Sequence, residues 1–440
     1  MLKRHFQILP WVAAATLGSI ALGPLASPTS SADVEAWRED LVFLATEIPH
    51  IHPNPYHAVP KAKLDFAFRQ LEGRLPFLTR EGAIVELARV VALMHEGHTQ
   101  LGISRDPSIG FGRYPLGLYL YSDGLFVRSA SENLRRTLGA RVLGIGKKSA
   151  REAMELVRPI VQHDNEMTIQ DVLPDRLVVP EVLFELGVCP SRSSCTYRLG
   201  APDGHDFSVR VEEEPFGSSA PRVLANVDPD RPVPLYLRHR DTDYWFEYLE
   251  GDNLLYLQYN AAQDSPEEPF ARFCQRVFDF IAANRVEVLV VDLRLNNGGD
   301  NTLNGPLIEH IRRTPGLNRR GHLFAIVGRL TFSAGMNCAM DLKKKTAATF
   351  VGEPTGSSPN QYGDAIDIVL PHSKVVVRVS TRYWEDGGPF DHREALAPEI
   401  QAELSSKDFR ANHDPAMEAI LARTRRPFAQ RHSREPAVQP

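Results

Sequence analysis

The chain has 440 residues, 43% hydrophobic and 24% charged, enough to bury a large core and to divide into two or three domains. The net charge of -5, with no long basic run, gives no electrostatic case for a nucleic-acid partner. The 33 prolines are scattered, so they read as punctuation between elements and not as a low-complexity tract.

The first segment reads as a leader. Lys3, Arg4 and His5 precede an apolar run from Ile8 to Leu22, and Ser30-Ser31-Ala32 offers a small-residue cleavage site ahead of Asp33. This predicts a secretory signal over residues 1–32. The competing reading is a membrane anchor, but the apolar run is short for a bilayer span and no stop-transfer charges follow it. The expectation is an exported protein, periplasmic or secreted, with no stable membrane insertion. In an oxidising compartment Cys189 and Cys195, which flank Pro-Ser-Arg-Ser-Ser, are candidates for a small disulfide. Cys274 and Cys338 lie in helical stretches and read as buried small hydrophobes. No CxxC pair or His/Cys cluster suggests a metal site, and no cofactor is implied.

Residues 33–101 carry helical periodicity: Val34, Trp37, Leu41, Leu44 and Ile48, then Phe66, Phe68, Leu71 and Leu75, then Ile84, Leu87, Val90, Val91 and Met94. This predicts an N-terminal helical cap of about three helices, interrupted by the Pro-rich run from Pro49 to Pro55. Residues 102–230 predict a β-rich insert. Leu118 to Val127 reads as strand, turn at Asp123-Gly124, strand. One helix is expected, from Ala150 to about Val157, stopped by Pro159.

Residues 231–424 alternate strands and helices, and 425–440 read as a tail. Leu254 to Tyr259, Val286 to Leu293, His322 to Val327 and Thr349 to Gly352 are strands; Pro269 to Ala283, Leu303 to Arg312 and Ser333 to Lys343 are helices. Val286 to Leu293 is nearly continuously apolar, as a strand buried on both faces should be. The pattern predicts an α/β core, a sheet covered by helices, with function in the loops after the strands.

Two such loops carry chemistry. Asp292-Leu-Arg-Leu-Asn-Asn-Gly-Gly299 offers free backbone N–H groups, and Gly328-Arg-Leu-Thr-Phe-Ser333-Ala-Gly offers a hydroxyl. A nucleophile beside preorganised donors is what acyl transfer requires. Ser333 at a helix start can equally be an ordinary N-cap. Asn296 and Asn297 can serve only the loop backbone, and Arg294 reads as an ion-pair partner.

Asp-Leu-Arg-x-Asn-x-Gly-Gly, Thr-Phe-Ser-Ala, Phe350-Val-Gly-Glu-Pro-Thr-Gly356, Pro398-Glu-Ile400 and Asp414-Pro-Ala-Met-Glu-Ala together resemble the tail-specific (C-terminal processing) serine peptidase family over roughly Tyr244 to Leu421. His95-Glu-Gly-His98-Thr-Gln-Leu101 resembles the Gly-His-Thr-x-Leu segment ahead of that core. The resemblance implies a ClpP/crotonase-like mixed sheet. It implies a serine-type peptidase acting on peptide or protein substrates. Gly356-Ser-Ser-Pro359 stands where one branch has the Gly-Lys-Gly of a Ser/Lys dyad, so the similarity is to the tricorn-core-like branch with Ser, His and an acid. On that match Ser333 is the nucleophile and His98 the base, with His95 a weaker rival. Asp391 is the best positional match for the acid, with Asp386, Glu385 and Glu394 as rivals. Gly298 or Gly299, together with Ala334, supplies the oxyanion hole. Asn360 and Tyr362 are placed as pocket residues or turn formers. Leu138 to Gly146 weakly resembles a PDZ domain stretch, so the insert reads as PDZ-like or as purely structural. Two other readings stay open: a non-catalytic binding protein on the same fold, and a serine esterase with the same machinery.

Overall fold

The computed structural model describes residues 31–218, 222–225 and 231–425. The expected leader falls outside these residues except at 31 and 32, and so does all but the first residue of the expected tail. Three helices come first: α1 (Ser31–Ile51), α2 (Lys61–Arg74) and α3 (Arg80–Ala92). Their apolar stripes follow the marked periodicity, with Leu44, Ile84 and Leu87 fully buried, except at Phe66, which is exposed while Leu64 takes the buried place on α2. Thr79 caps α3 by accepting the Gly82 N–H at 3.0 Å.

After the two-residue strand β1 (Gln100–Leu101) comes a sheet in the order β2-β3-β4-β6-β7. Its strands are β2 (Leu116–Tyr121), β3 (Gly124–Ser131), β4 (Arg141–Ile145), β6 (Ser194–Gly200) and β7 (Asp206–Glu212). The short β5 (Lys148–Ser149) pairs with β4, and β8 (Arg222–Leu224) with β3. Between β5 and β6 stand three helices where one was expected: α4 (Ala150–Val157), α5 (Glu166–Arg176) and α6 (Pro180–Glu185). The prolines that read as stops are compatible with this. Pro180 opens α6 in the first turn, where no N–H is needed, and Asn165 caps α5 by accepting the Met167 and Thr168 N–H groups. Cys189 and Cys195 are bonded, Cα to Cα 5.6 Å, and Cys274 and Cys338 are buried free thiols. The helical segment, the insert and a later hairpin share one hydrophobic cluster.

The remainder builds a six-stranded sheet in the order β18-β13-β12-β11-β10-β9. Its strands are β9 (Tyr244–Leu249), β10 (Leu254–Tyr259), β11 (Val288–Asp292), β12 (Leu323–Val327), β13 (Thr349–Gly352) and β18 (Ile400–Gln401). Only β9 runs antiparallel to its neighbour. The crossovers are α7 (Phe270–Ala283), α8 (Gly305–Arg312) and α9 (Ala334–Lys345). Successive strand residues point to opposite faces. Leu289 and Val291 pack with α7, α8 and α9, whereas Val290 packs under α11 (Pro415–Thr424). Between β13 and β18 one long hairpin is inserted, with β15 (Ile366–Val369) against β16 (Val376–Val379) at its tip and β14 (Asn360–Gly363) against β17 (Arg382–Glu385) at its base. The short α10 (Ser406–Arg410) leads to α11. No helix among the described residues is long and apolar enough to cross a membrane.

Two packing facts set the site. β11 and β12 are adjacent and parallel, so the loops at their carboxyl ends lie side by side. β1 pairs antiparallel with β16, Gln100 opposite Arg378, which brings the preceding turn with His98 onto those loops.

Candidate active site

The two loops are locked together at Asn296. Its side chain accepts the Gly298 N–H at 3.0 Å, and its carbonyl accepts the Phe332 N–H at 3.0 Å. Thr331 adds a bond from its hydroxyl to the Leu293 carbonyl, 2.9 Å. The approach is close enough to demand glycine. A Cβ on Gly298 would lie 2.6 Å from the Ser333 Cβ, and one on Gly335 would run into the Asn296 carbonyl. Ser333 itself sits at φ 50° and ψ −125°, a strained conformation for an L residue. It precedes α9, yet its side chain makes no capping bond. The hydroxyl points instead to His98, Oγ to Nε2 3.0 Å. With the proton on Nδ1, the tautomer a general base needs, Ser333 Oγ–H donates to Nε2.

The His98 ring stacks on Phe332 at 4.5 Å between centroids. Thr99 Oγ1 accepts the Ser380 N–H at 3.0 Å, tying the base-bearing turn to the β16–β17 connection. Burial, and then the Arg378 charge, push the His98 pKa down from 6.5 to about 4, while the Tyr362 main chain pulls the other way. Among the described residues Nδ1 is buried and makes no hydrogen bond of ordinary geometry, and the Tyr362 main chain is the polar group beside the ring. The ring keeps one edge on the cleft.

The structure brings Ser333 and His98 together and leaves the expected acid elsewhere. Asp391 is held by Arg393, with bonds of 2.9 and 2.6 Å, and that pairing lowers its pKa. Asp386 accepts from the Asn337 side chain. Glu385 and Glu394 are exposed and make no contact with His98. In this structure the Asp391 carboxylate pairs with the neighbouring Arg393 guanidinium and not with His98.

Of the two candidate glycines, Gly298 has spent its N–H on Asn296. Gly299, at φ 129°, forms a parallel bridge with Ala262 that uses only the flanking Gly298 carbonyl and Asp300 N–H. Its own N–H faces away from that bridge. Gly299 and Ala334 both line a cleft of about 270 Å³ with Ser333 and His98.

Asn360 and Tyr362 do not line this cleft. Asn360 donates to the Gly388 and Asp391 carbonyls and accepts the Gly387 N–H, so it clamps a loop. The Tyr362 ring packs against His52, His57 and Tyr383. Their strand alternates, so the cleft receives Gln361 and Gly363 from the opposite face. Gln361 donates to the Ser333 carbonyl at 3.3 Å. Asn337, Arg382 and Trp384 complete the wall, with Asp300 and Asp364 supplying carboxylates. Asn337 follows Ser333 by one helical turn, a spacing that does predict a shared face. Ser357, which accepts the Ser333 N–H at 3.2 Å, has no such signal in the sequence.

His52, His57 and Glu96 bring potential metal-ligand atoms within 4.8 Å of one another. His52 Nδ1, however, accepts the Asn54 N–H at 3.0 Å, so Nε2 carries the proton and donates it to Glu96 at 2.9 Å. In this arrangement the Nδ1 lone pair is engaged by the Asn54 N–H and Nε2 by Glu96. The trio is a buried hydrogen-bonded pair with a stacked neighbour.

No family model matches the chain, and no curated protein matches it in sequence. Solved structures do match. Mature CPAF superposes with a TM-score of 0.64 at 13% identity, covering 89% of this chain and 96% of CPAF. Mature CPAF complexed with lactacystin gives 0.63 at 12% identity, covering 90% and 98%. What is shared at that identity is the fold, over nearly the whole of both chains.

Proposed function

We propose that this chain is a serine-type peptidase of the tail-specific family, cleaving peptide bonds through an acyl-enzyme. The observation that carries this reading is the Ser333 Oγ to His98 Nε2 contact at 3.0 Å, made by a serine whose strained backbone withholds it from the N-cap role. The fold shared with CPAF and the peptidase motifs of the core support it. Ser333 Oγ attacks the substrate carbonyl carbon and gives its proton to His98 Nε2. The carbonyl oxygen becomes an oxyanion before the Gly299 and Ala334 N–H groups. Collapse breaks the C–N bond, and His98 passes the proton to the leaving amine. Water then attacks the acyl ester, delivering a proton to His98; collapse of the second oxyanion breaks the C–Oγ bond as His98 returns that proton to Ser333 Oγ, which frees the acid product and restores the site. Among the described residues no acid side chain bonds to His98. Packing on Phe332 and the neighbouring Tyr362 main chain hold the ring.

The test is labelling of the purified protein by a fluorophosphonate probe, beside Ser333→Ala and His98→Ala. Labelling that requires both residues, followed by cleavage of unstructured polypeptides, is expected. A cooperatively folded parent that does not label would overturn the reading, and hydrolysis of activated esters with no peptide cleavage would make the enzyme an esterase.

A further inference from the structure

Resting on the reading above, we infer that Asp164 is a positioning residue of this site: its carboxylate couples the turn that carries His98 to the turn that carries Ser333. Asp164 lies in the segment before α5, outside the cleft. Its Oδ1 accepts the N–H of Gly97, the residue next to His98, at 2.6 Å. On its other side are the Ser357 hydroxyl and the Ser358 amide, close enough to stabilise its charged form. Oδ2 is sealed from solvent and makes no close bond of its own. Ser357 is the residue whose Oγ accepts the Ser333 N–H. The connection runs from the base-bearing turn through the Asp164 carboxylate to its own segment, which Asn165 ties to the Thr355 carbonyl, and so to the loop whose Ser357 hydroxyl holds the Ser333 N–H.

The surroundings leave little slack. Gly97 is wedged between that carboxylate and Phe332, whose ring an added Cβ would approach to 2.6 Å. The next residue, Asn165, donates to the Thr355 and Glu394 carbonyls at 3.1 and 2.6 Å, fixing the segment to the core. The charged group acting on Asp164 is Glu96, from the His98 turn; Ser357 and Ser358 on the other side are neutral. His163 beside it stacks edge-on with His95 at 4.8 Å.

Burial, reinforced by Glu96, raises the Asp164 pKa to about 7. The ionised carboxylate can only accept, so it holds the Gly97 N–H. Protonated, it competes as a donor and the alignment weakens. Asp164→Asn keeps an acceptor for Gly97 and cannot ionise. The experiment is the rate of fluorophosphonate labelling from pH 5 to 8 for the parent, Asp164→Asn and Ser357→Ala, each checked by a thermal melt. The parent is expected to show a step near pH 7 that Asp164→Asn lacks. The two should label alike at pH 5 and differ by about tenfold at pH 8, the worth of a charge-assisted hydrogen bond. Ser357→Ala, which removes the acceptor of the Ser333 N–H at the far end of the connection, should slow labelling across the whole range. A parent-to-Asp164→Asn ratio constant across pH overturns the positioning role and leaves Ser333 and His98 standing. So does a Ser357→Ala variant that labels at the parent rate throughout. A folded parent that fails to label removes both readings.

Discussion

Ser333 holds φ 50° although it is not glycine, and the structure retains that conformation because four contacts fix it. Its N–H is held by Ser357, its carbonyl by Gln361, its hydroxyl by His98, and its Cβ lies against Gly298. Strain of this kind costs about 1–3 kcal/mol and persists only where the surroundings over-determine it. Gly298→Ala places a methyl against the serine at a positive φ, so labelling should fall by roughly 100-fold as the nucleophile is displaced. A variant that labels at the parent rate would show the close approach to be unimportant. The pH dependence of the base follows from the direction of its shift. A pKa near 4 keeps His98 neutral, and competent, well below the ordinary 6.5. In Asp164→Asn, where the second titration is gone, the acidic limb of the labelling rate should fall below pH 6. A limb at 6.5 or above would contradict the burial of the ring. The same shift affects stability. Between about 4 and 6.5 the folded state binds fewer protons at His98 than the unfolded chain, so this contribution is present above 6.5 and lost as the pH falls through that window.

At the scale of elements, the site depends on how β11, its loop and α11 are joined. Arg294 Nε donates to Asp292 at the end of β11, and its two terminal nitrogens donate to Asp414 at 2.8 and 3.0 Å. Asp414 also caps α11. The guanidinium therefore holds the loop that carries Gly299 to the helix under the sheet, and it lies over the Tyr236 ring at 4.4 Å. Removing one partner of a buried pair leaves the other uncompensated. Asp414→Ala should lower stability by about 3–5 kcal/mol, measured by denaturant unfolding. A loss under about 1 kcal/mol would mean that water replaces the carboxylate easily. The order of the core elements from β10 to β13 was legible in the periodicity because β12 is apolar throughout, β11 is apolar up to Asp292 and α7 is amphipathic. The helices 166–176 and 180–185 were not, because Pro174 and Pro180 read as breaks until their positions within the helices are known.

At the scale of the whole molecule, the insert is fastened to the core near the site. Arg329, four residues before Ser333, pairs with Glu353 at 2.9 and 3.0 Å and donates to the Leu120 carbonyl of β2. The insert's own far side is closed by the Cys189–Cys195 bond. A loop this short removes about 2 kcal/mol of unfolded-state entropy. The double Cys→Ser variant should unfold at lower denaturant by that amount while labelling as the parent does, and an unchanged midpoint would show the bond to be energetically idle. The sequence by itself determined the α/β core, the two strand–turn–helix loops, and Ser333 and His98 as the pair to watch. Those features are local: hydrophobic periodicity, small residues in turns, and motif order. Only the tertiary structure decided which groups surround that pair. Asp391 stands at a suitable distance along the chain, but Arg393 two residues away is a nearer partner than His98. Asn360 and Gln361 differ by one residue, and the strand's alternation turns the second toward the cleft and the first toward a loop. Asp164 and Ser357 lie far apart in the chain and meet because β1 pairs with β16 and α5 docks on the core. Pairings across such distances depend on the closure of the whole chain, and no window of sequence contains both partners.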